Sequence, residues 1–230
     1  MLKIENVVIE NGTFWLSADI RVESGQKVAV IGPSGAGKST LIGAIAGFLP
    51  LKDGQIYWNE TDISQTDPGA RPVAMLFQDG NMFPHLSVAQ NVGLGIRPDL
   101  KLDAKQVDLV QSAILRVGLE GLAERKPAAL SGGQQSRAAL ARVLVQDRPL
   151  LLLDEPFAAL GPAMRVEMLD LVDELVREAG ATLLMVSHAP EDARRIADQV
   201  ILVEGGVAHP PQDTKTLLDN PPPALRAYLG

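Results

Sequence analysis

Apolar residues fall into two kinds of pattern along the chain. Short runs rich in Val, Ile and Leu occur at 28–31, 73–77, 150–153, 183–186 and 200–203, and between them apolar positions recur at spacings of three and four. Uninterrupted runs of this length suit strands covered on both faces. Their alternation with helical patterns predicts an α/β architecture with a mainly parallel sheet. Residues 1–40 fit an N-terminal antiparallel β region leading into a Gly-rich loop, and residues 41–48 a helix that follows the loop.

Residues 79–146 read as mostly helical, a lobe inserted between the second and third apolar runs. Within it, Asp103 can cap a helix that carries Val107, Val110, Ile114 and Val117 on one face and stops at Gly118. Further on, Pro162 suits the first position of a helix whose stripe of Met164, Met168, Leu171, Leu175 and Ala179 reads as core packing, ended by Gly180. The tail, 210–230, is Pro-rich and ends in a short helical pattern. The expected organisation is one domain over 1–230, with 1–78 and 147–230 as its core and about 79–146 as the lobe.

Composition narrows the classes. With 230 residues and 46% hydrophobic content, the chain can bury a sizeable core. A net charge of −7 leaves no surplus of cations for a nucleic-acid backbone, so any phosphate recognition should be local. The absence of Cys removes disulfides, zinc–thiolate sites and iron–sulfur clusters. No apolar run approaches the roughly 18 residues of a spanning helix, and the N-terminus lacks a secretory pattern, so the chain is expected in the cytoplasm.

The Gly-rich loop is Gly32-Pro33-Ser34-Gly35-Ala36-Gly37-Lys38-Ser39-Thr40, set between a strand pattern and a helical one. A Gly, four residues, then Gly-Lys-Ser in that context is the P-loop pattern. Glycines let backbone N–H groups converge on phosphate oxygens, and the helix N-terminus adds positive potential. Lys38 supplies a charge to the β- and γ-phosphates of a nucleotide such as ATP, and Ser39 a hydroxyl for Mg²⁺. At the end of the run 150–153, Asp154 and Glu155 stand where ligands bind in open parallel sheets. Asp154 can hold Mg²⁺, and Glu155 can polarise a water that attacks the γ-phosphate.

A second helix start is unusual. Ser131 and Gln134 form a capping box, but Gly132 and Gly133 between them weaken a helix by roughly 1 kcal/mol each. Exposed N–H groups there suit a phosphate, and a chain with a complete P-loop needs no second site for the same nucleotide. The economical reading is that Ser131 to Gln134 serve the nucleotide held by a second copy.

GPSGAGKST from Gly32, Phe77-Gln78, LSGGQ from Leu130, LLLLDEP from Leu150 and Ser187-His188, in this order, resemble the ATP-binding-cassette (ABC) transporter ATPases over essentially the whole chain. The resemblance implies a P-loop NTPase core and a head-to-tail homodimer that sandwiches ATP between one P-loop and the other copy's LSGGQ segment. It also implies that Gln78 contacts Mg²⁺ and the attacking water, and that His188 donates a hydrogen bond to the γ-phosphate. Partners would be transmembrane permease subunits and, indirectly, a solute-binding protein, with the chain at the cytoplasmic face of a bacterial inner membrane and the surface around 81–85 docked on the permease.

Two departures stand out. Where the family has Ser-Ala-Leu-Asp, this chain reads Ala158-Ala159-Leu160-Gly161, and where it stacks adenine on an aromatic the aligned residue is Asn11, leaving Phe14 or Trp15. The stretch 71–95 resembles ATP-binding subunits of bacterial thiamine importers, and importers of ferric iron, sulfate, molybdate or polyamines share most of it. Rival readings are a stand-alone P-loop kinase, which leaves the Ser131 segment unused, and a nucleotide-binding regulator without catalysis, suggested by Gly161.

Overall fold

The computed structural model describes residues 1–78, 80–223 and 225–226, with the backbone alone at Asn11. The first residue of the expected lobe and the end of the tail therefore lie outside the described residues. In chain order the elements are β1 (Leu2–Asn11), β2 (Phe14–Val22), β3 (Lys27–Ile31), α1 (Lys38–Ala46), β4 (Asp53–Trp58), β5 (Thr61–Asp62) and β6 (Val73–Leu76). The helical stretch follows, with α2 (Val88–Gly93), α3 (Ala104–Arg116) and α4 (Gly132–Leu144). The chain then returns through β7 (Leu150–Asp154), α5 (Pro162–Ala179), β8 (Thr182–Val186), α6 (Pro190–Ile196), β9 (Gln199–Glu204), β10 (Val207–Ala208), β11 (Gln212–Asp213) and α7 (Thr214–Asp219).

The strands run in the order β5-β4-β1-β2-β10-β9-β3-β8-β7-β6, with β11 paired to β9. From β9 to β6 every pairing is parallel, whereas β2, β1, β4 and β5 pair antiparallel. Strand β10 joins the two parts, parallel to β2 and antiparallel to β9. The five apolar runs are the five parallel strands. They read as uninterrupted because both faces are covered: Leu151 and Leu153 of β7 enter the apolar cluster shared with α2 to α5, while Leu150 and Leu152 enter the one around α1 and the antiparallel strands. The first cluster is continuous from the sheet into the helical stretch, so α2, α3 and α4 are packed on the sheet by shared core residues.

Several expectations need correction. The helix after the loop ends at Ala46, with Gly47 as its left-handed cap, so Phe48 lies beyond it. Helix α3 starts on the expected Asp103 box and buries Val110 and Ile114, with Val117 buried just after it, but Val107 is exposed. Helix α5 has Pro162 first and Gly180 as cap, yet its buried face is Met168, Leu169, Val172, Leu175 and Val176. Met164 and Ala179, placed in the core stripe by spacing, are exposed. A spacing of four at nearly every step drifts around a helix of 3.6 residues per turn, so the two ends of that stripe rotate out of the core. No helix among the described residues is long and apolar enough to cross a membrane.

Candidate functional site

Register brings the chemistry to one edge. Val30 of β3, Val186 of β8 and Asp154 of β7 are level across the sheet, and just beyond them Ser187 N–H bonds Val30 O and Glu155 N–H bonds Val186 O, each at 3.2 Å. The P-loop, Glu155 and His188 therefore leave the sheet side by side at the carboxyl ends of parallel strands, where such sheets bind ligands.

They enclose a cleft of about 310 Å³ lined by Ser34, Gly35, Gly37, Lys38, Ser39, Thr40, Glu155, His188 and Phe14. Lys38 opens α1 and is buried; its Nζ donates to Gly32 O at 2.8 Å and to Pro33 O at 2.9 Å, so one of its three N–H groups is left for a ligand. Burial lowers the Lys38 pKa, against the opposing pull of the nearby Glu155 and Asp154 carboxylates. Gly32, Pro33 and Ala36 shape the loop but do not line the cleft.

Asp154 accepts a hydrogen bond from Ser39 Oγ at 2.9 Å on Oδ1. Burial pushes its carboxyl above the usual range; the Ser39 hydrogen bond works against that shift, and the adjacent Glu155 charge adds to it. Glu155 contacts His188 Nε2 and sits in the left-handed backbone region at φ 47°, which is costly for a residue with a side chain and recurs at functional sites. A hydroxyl and a carboxylate in contact beside a lysine are the hard oxygen donors that suit Mg²⁺, which takes one or two carboxylates together with substrate phosphates.

The two aromatic candidates separate. Phe14 and Trp15 are neighbours on β2 and so point to opposite faces of the sheet. Phe14 lines the cleft beneath Gly37, where a Cβ would come within 2.6 Å of its ring and where φ is 107°. Trp15 is 51% exposed and does not line the cleft; its ring lies near Gly206.

The Ser131 segment lies elsewhere. Its capping box is complete, with Ser131 Oγ accepting from Gln134 N–H and the Gln134 side chain accepting from Ser131 N–H. Among the described residues none of Ser131, Gly132, Gly133 and Gln134 lines the P-loop cleft. Gly132 instead borders a second cleft with Gln78, Gln135, Pro156 and Ala158. A Cβ on Gly132 would meet open space, but one on Gly133 would lie 2.0 Å from Met164 Sδ. Met164 is exposed and flexible, so its thioether can move aside for a Gly133 side chain, and packing does not explain either glycine. Gly161, in place of the family's Asp, is the N-cap of α5 and makes no side-chain cap bond.

Residues the sequence reading passed over complete the surroundings. Arg165 of α5 and Asp192 of α6 bond Ser187 beside His188. Arg142 of α4 donates to Gly80 O at 2.6 Å and Asn81 O at 2.7 Å, just after Gln78. The Arg165 and Arg142 links join elements distant in sequence and leave no local motif, whereas Asp192 follows Ser187 by five residues.

A family model described as "ABC transporter" matches residues 17–158. The thiamine import ATP-binding protein ThiQ of Ruegeria sp. (strain TM1040) is 66% identical over 230 residues, 100% of both chains, and that of Cereibacter sphaeroides is 57% identical over the same extent. Among solved structures, a nucleotide-free ATP-binding cassette from an ABC transporter superposes with a TM-score of 0.88 at 25% identity, covering 100% of this chain and 99% of the other. A dimeric post-hydrolysis state of the ATP-binding cassette MJ0796 bound to ADP and Pi gives a TM-score of 0.81 at 26% identity, covering 93% and 99%. With its P-loop, paired acids and His188 at one sheet edge and its LSGGQ segment outside the cleft they line, the chain belongs to the ABC transporter family as an ATP-binding cassette.

Proposed function

We propose that the chain is the ATP-hydrolysing subunit of a bacterial thiamine importer, working as a head-to-tail pair of copies beneath transmembrane permease subunits at the cytoplasmic face of the membrane. The observation that carries this reading is the separation of the two phosphate-binding starts: the P-loop cleft holds Lys38, Glu155 and His188, and the Ser131 segment opens elsewhere. A second copy turned head to tail supplies the missing wall. The dimeric cassette bound to ADP and Pi, and the full-length relatives described as thiamine import proteins, support the pairing and the solute.

Within the pair, backbone N–H groups of Ser34, Gly35 and 37–40 and the Lys38 ammonium hold the phosphates, and Phe14 borders the same cleft. Ser39 and Asp154, joined by Gln78, which lines the second cleft, are the residues that would hold Mg²⁺. When bound, the ion neutralises charge on the β- and γ-phosphate oxygens. Glu155 takes a proton from the water that attacks γ-phosphorus. The bond from phosphorus to the β–γ bridging oxygen breaks, and that oxygen leaves with ADP. His188 donates a hydrogen bond to the γ-phosphate and keeps Glu155 in place through their contact. The chain acts as one domain, with 1–78 and 147–230 as the nucleotide-binding core and 79–146 as the lobe that presents Ser131 to Gln134. No nucleic-acid partner enters this scheme, in keeping with the net charge of −7.

The test is uptake of labelled thiamine by cells lacking the gene. Wild-type chain should restore uptake, while Lys38→Ala and Glu155→Gln should leave at most about one hundredth of it, the scale of losing a transition-state contact. Uptake restored by Glu155→Gln would overturn the catalytic role. Absence of a thiamine phenotype, with the purified chain still hydrolysing ATP, would discard the vitamin and keep the motor.

A further inference from the structure

A polar cluster lies behind His188, and no step described above uses it. Ser187 and Asp192 are 3% and 7% exposed. Ser187 Oγ donates to Asp192 Oδ2 at 2.6 Å and accepts from Ala189 N–H at 3.0 Å and from Arg165 Nη2 at 3.3 Å. The hydroxyl thus uses its one donor and both acceptor sites. Asp192 Oδ2 also accepts from Arg165 Nε at 3.0 Å and contacts Nη2 of the same guanidinium.

The Ser187–Ala189 bond closes a turn with His188 at its centre. Arg165 stands in the first turn of α5, a short segment after Glu155, and Asp192 in the first turn of α6, directly after His188. The cluster therefore ties the helix that follows the base to the loop that carries the histidine. A cavity of about 230 Å³, lined by Glu155, His188, Arg165, Ser187 and Asp192, brings both sets of groups together.

Arg165 is partly exposed, its side chain at 26%, and a half-buried ion pair adds little net stability because desolvation offsets much of its Coulombic gain. Its strength is geometric: side chains tied to one another by several hydrogen bonds hold one arrangement. We propose that Arg165 and Asp192 are positioning residues for hydrolysis, which through Ser187 fix the backbone on both sides of His188 and so hold its imidazole against Glu155. The inference rests on the reading of Glu155 and His188 as groups of ATP hydrolysis.

The experiment uses full-length wild type, Arg165→Ala, Arg165→Lys and Asp192→Asn, with two independent readouts. Hydrogen exchange at the Ala189 amide should quicken by about tenfold in Arg165→Ala and Asp192→Asn, as expected when a local closing bond is lost. An unchanged rate overturns the proposal. In ATP hydrolysis, kcat should fall about 10- to 100-fold, the scale of a small misplacement at a reacting centre, while KM stays within about threefold and Arg165→Lys recovers part of the loss. Unchanged kcat, or kcat and KM worsening together in step with the thermal midpoint, overturns it too. A wild type that fails to hydrolyse ATP would sink the functional reading itself, and the exchange rates would still decide whether the cluster holds the loop.

Discussion

Asp154 is pulled one way by its surroundings and would be pulled the other by the cation proposed for it. Burial raises its pKa in the folded protein, so the ionised carboxylate is less favourable there than in the unfolded chain, yet the ionised form is the one that holds a cation. The sign follows from linkage: the cost is absent at pH values below the ordinary carboxyl pKa of about 3.9, grows as pH rises from there towards the raised folded value, and is complete above it. Asp154→Asn keeps an acceptor for Ser39 Oγ at 2.9 Å and removes the half-buried charge. Its thermal midpoint at neutral pH should therefore exceed that of wild type without nucleotide, and the gain should vanish as pH falls to the ordinary carboxyl value, while Mg²⁺-dependent ATP binding is lost. Melting curves across that range decide it; a variant less stable at neutral pH contradicts the assignment. Lys38, Ser39, Asp154 and Glu155 were legible because they sit in local motifs at strand ends, whereas His188 stood out only through the resemblance to a family. Arg165 and Asp192 were not legible, being 27 residues apart and joined only by the fold. Phe14 and Trp15 could not be separated, because which face of β2 meets the loop depends on register.

Helix α1 shows how an element's far end supports its near end. Its N-terminus carries the P-loop, and at its C-terminus Arg71, 3% exposed, donates from Nη1 to Ala44 O at 2.9 Å and Ile45 O at 2.8 Å. The same guanidinium donates to Thr66 O at 2.8 Å and Ser64 O at 2.9 Å, so one cation closes the helix and pins the segment before β6. A positive charge there also complements the helix dipole and satisfies terminal carbonyls. Burial lowers the Arg71 pKa, but a guanidinium stays charged at neutral pH. Arg71→Ala should cost on the order of 3 kcal/mol in urea unfolding, the scale of losing charged hydrogen bonds and stranding their buried acceptors. Arg71→Lys should recover little, since an ammonium cannot present the same planar fork. A loss below about 1 kcal/mol would show that water replaces the guanidinium. At this scale, sequence located helix starts and stops through Asp103, Ser131, Pro162 and Gly180, because capping is local chemistry. The buried faces were read less well: the ends of the α5 stripe and Val107 of α3 project from the core, one of them, Met164, against Gly133.

For the whole molecule, the proposed coupling to a permease needs a surface that answers to the nucleotide. The parallel strands and the inserted helices were visible in the apolar pattern, but the bridge by β10 that makes one sheet of the parallel and antiparallel parts has only two residues and no pattern of its own. Beside the strand that leads to Gln78 lies a largely apolar cleft of about 640 Å³, lined by Phe48, Phe77, Phe83, Leu94, Ile96 and Arg142 among others. Phe48 and Phe83 are 52% and 47% exposed, an unusual display of aromatic surface in a chain with 4% aromatic residues. Arg142 holds the Gly80 and Asn81 carbonyls from α4, the helix that begins with the Ser131 segment, so a partner seated in the cleft would rest on the same element that is proposed to meet the nucleotide of a second copy. Phe83→Asp puts a charge on this surface without emptying the core. If the permease docks here, the variant should lose about 2 kcal/mol of docking energy, roughly 30-fold in affinity, as buried interface aromatics do. Membrane recovery of the chain and thiamine uptake should fall accordingly, while nucleotide binding by the free subunit stays at the wild-type level. Full uptake by Phe83→Asp would move the docking face away from this cleft, and lost nucleotide binding would mean that Phe83 supports the fold rather than a partner.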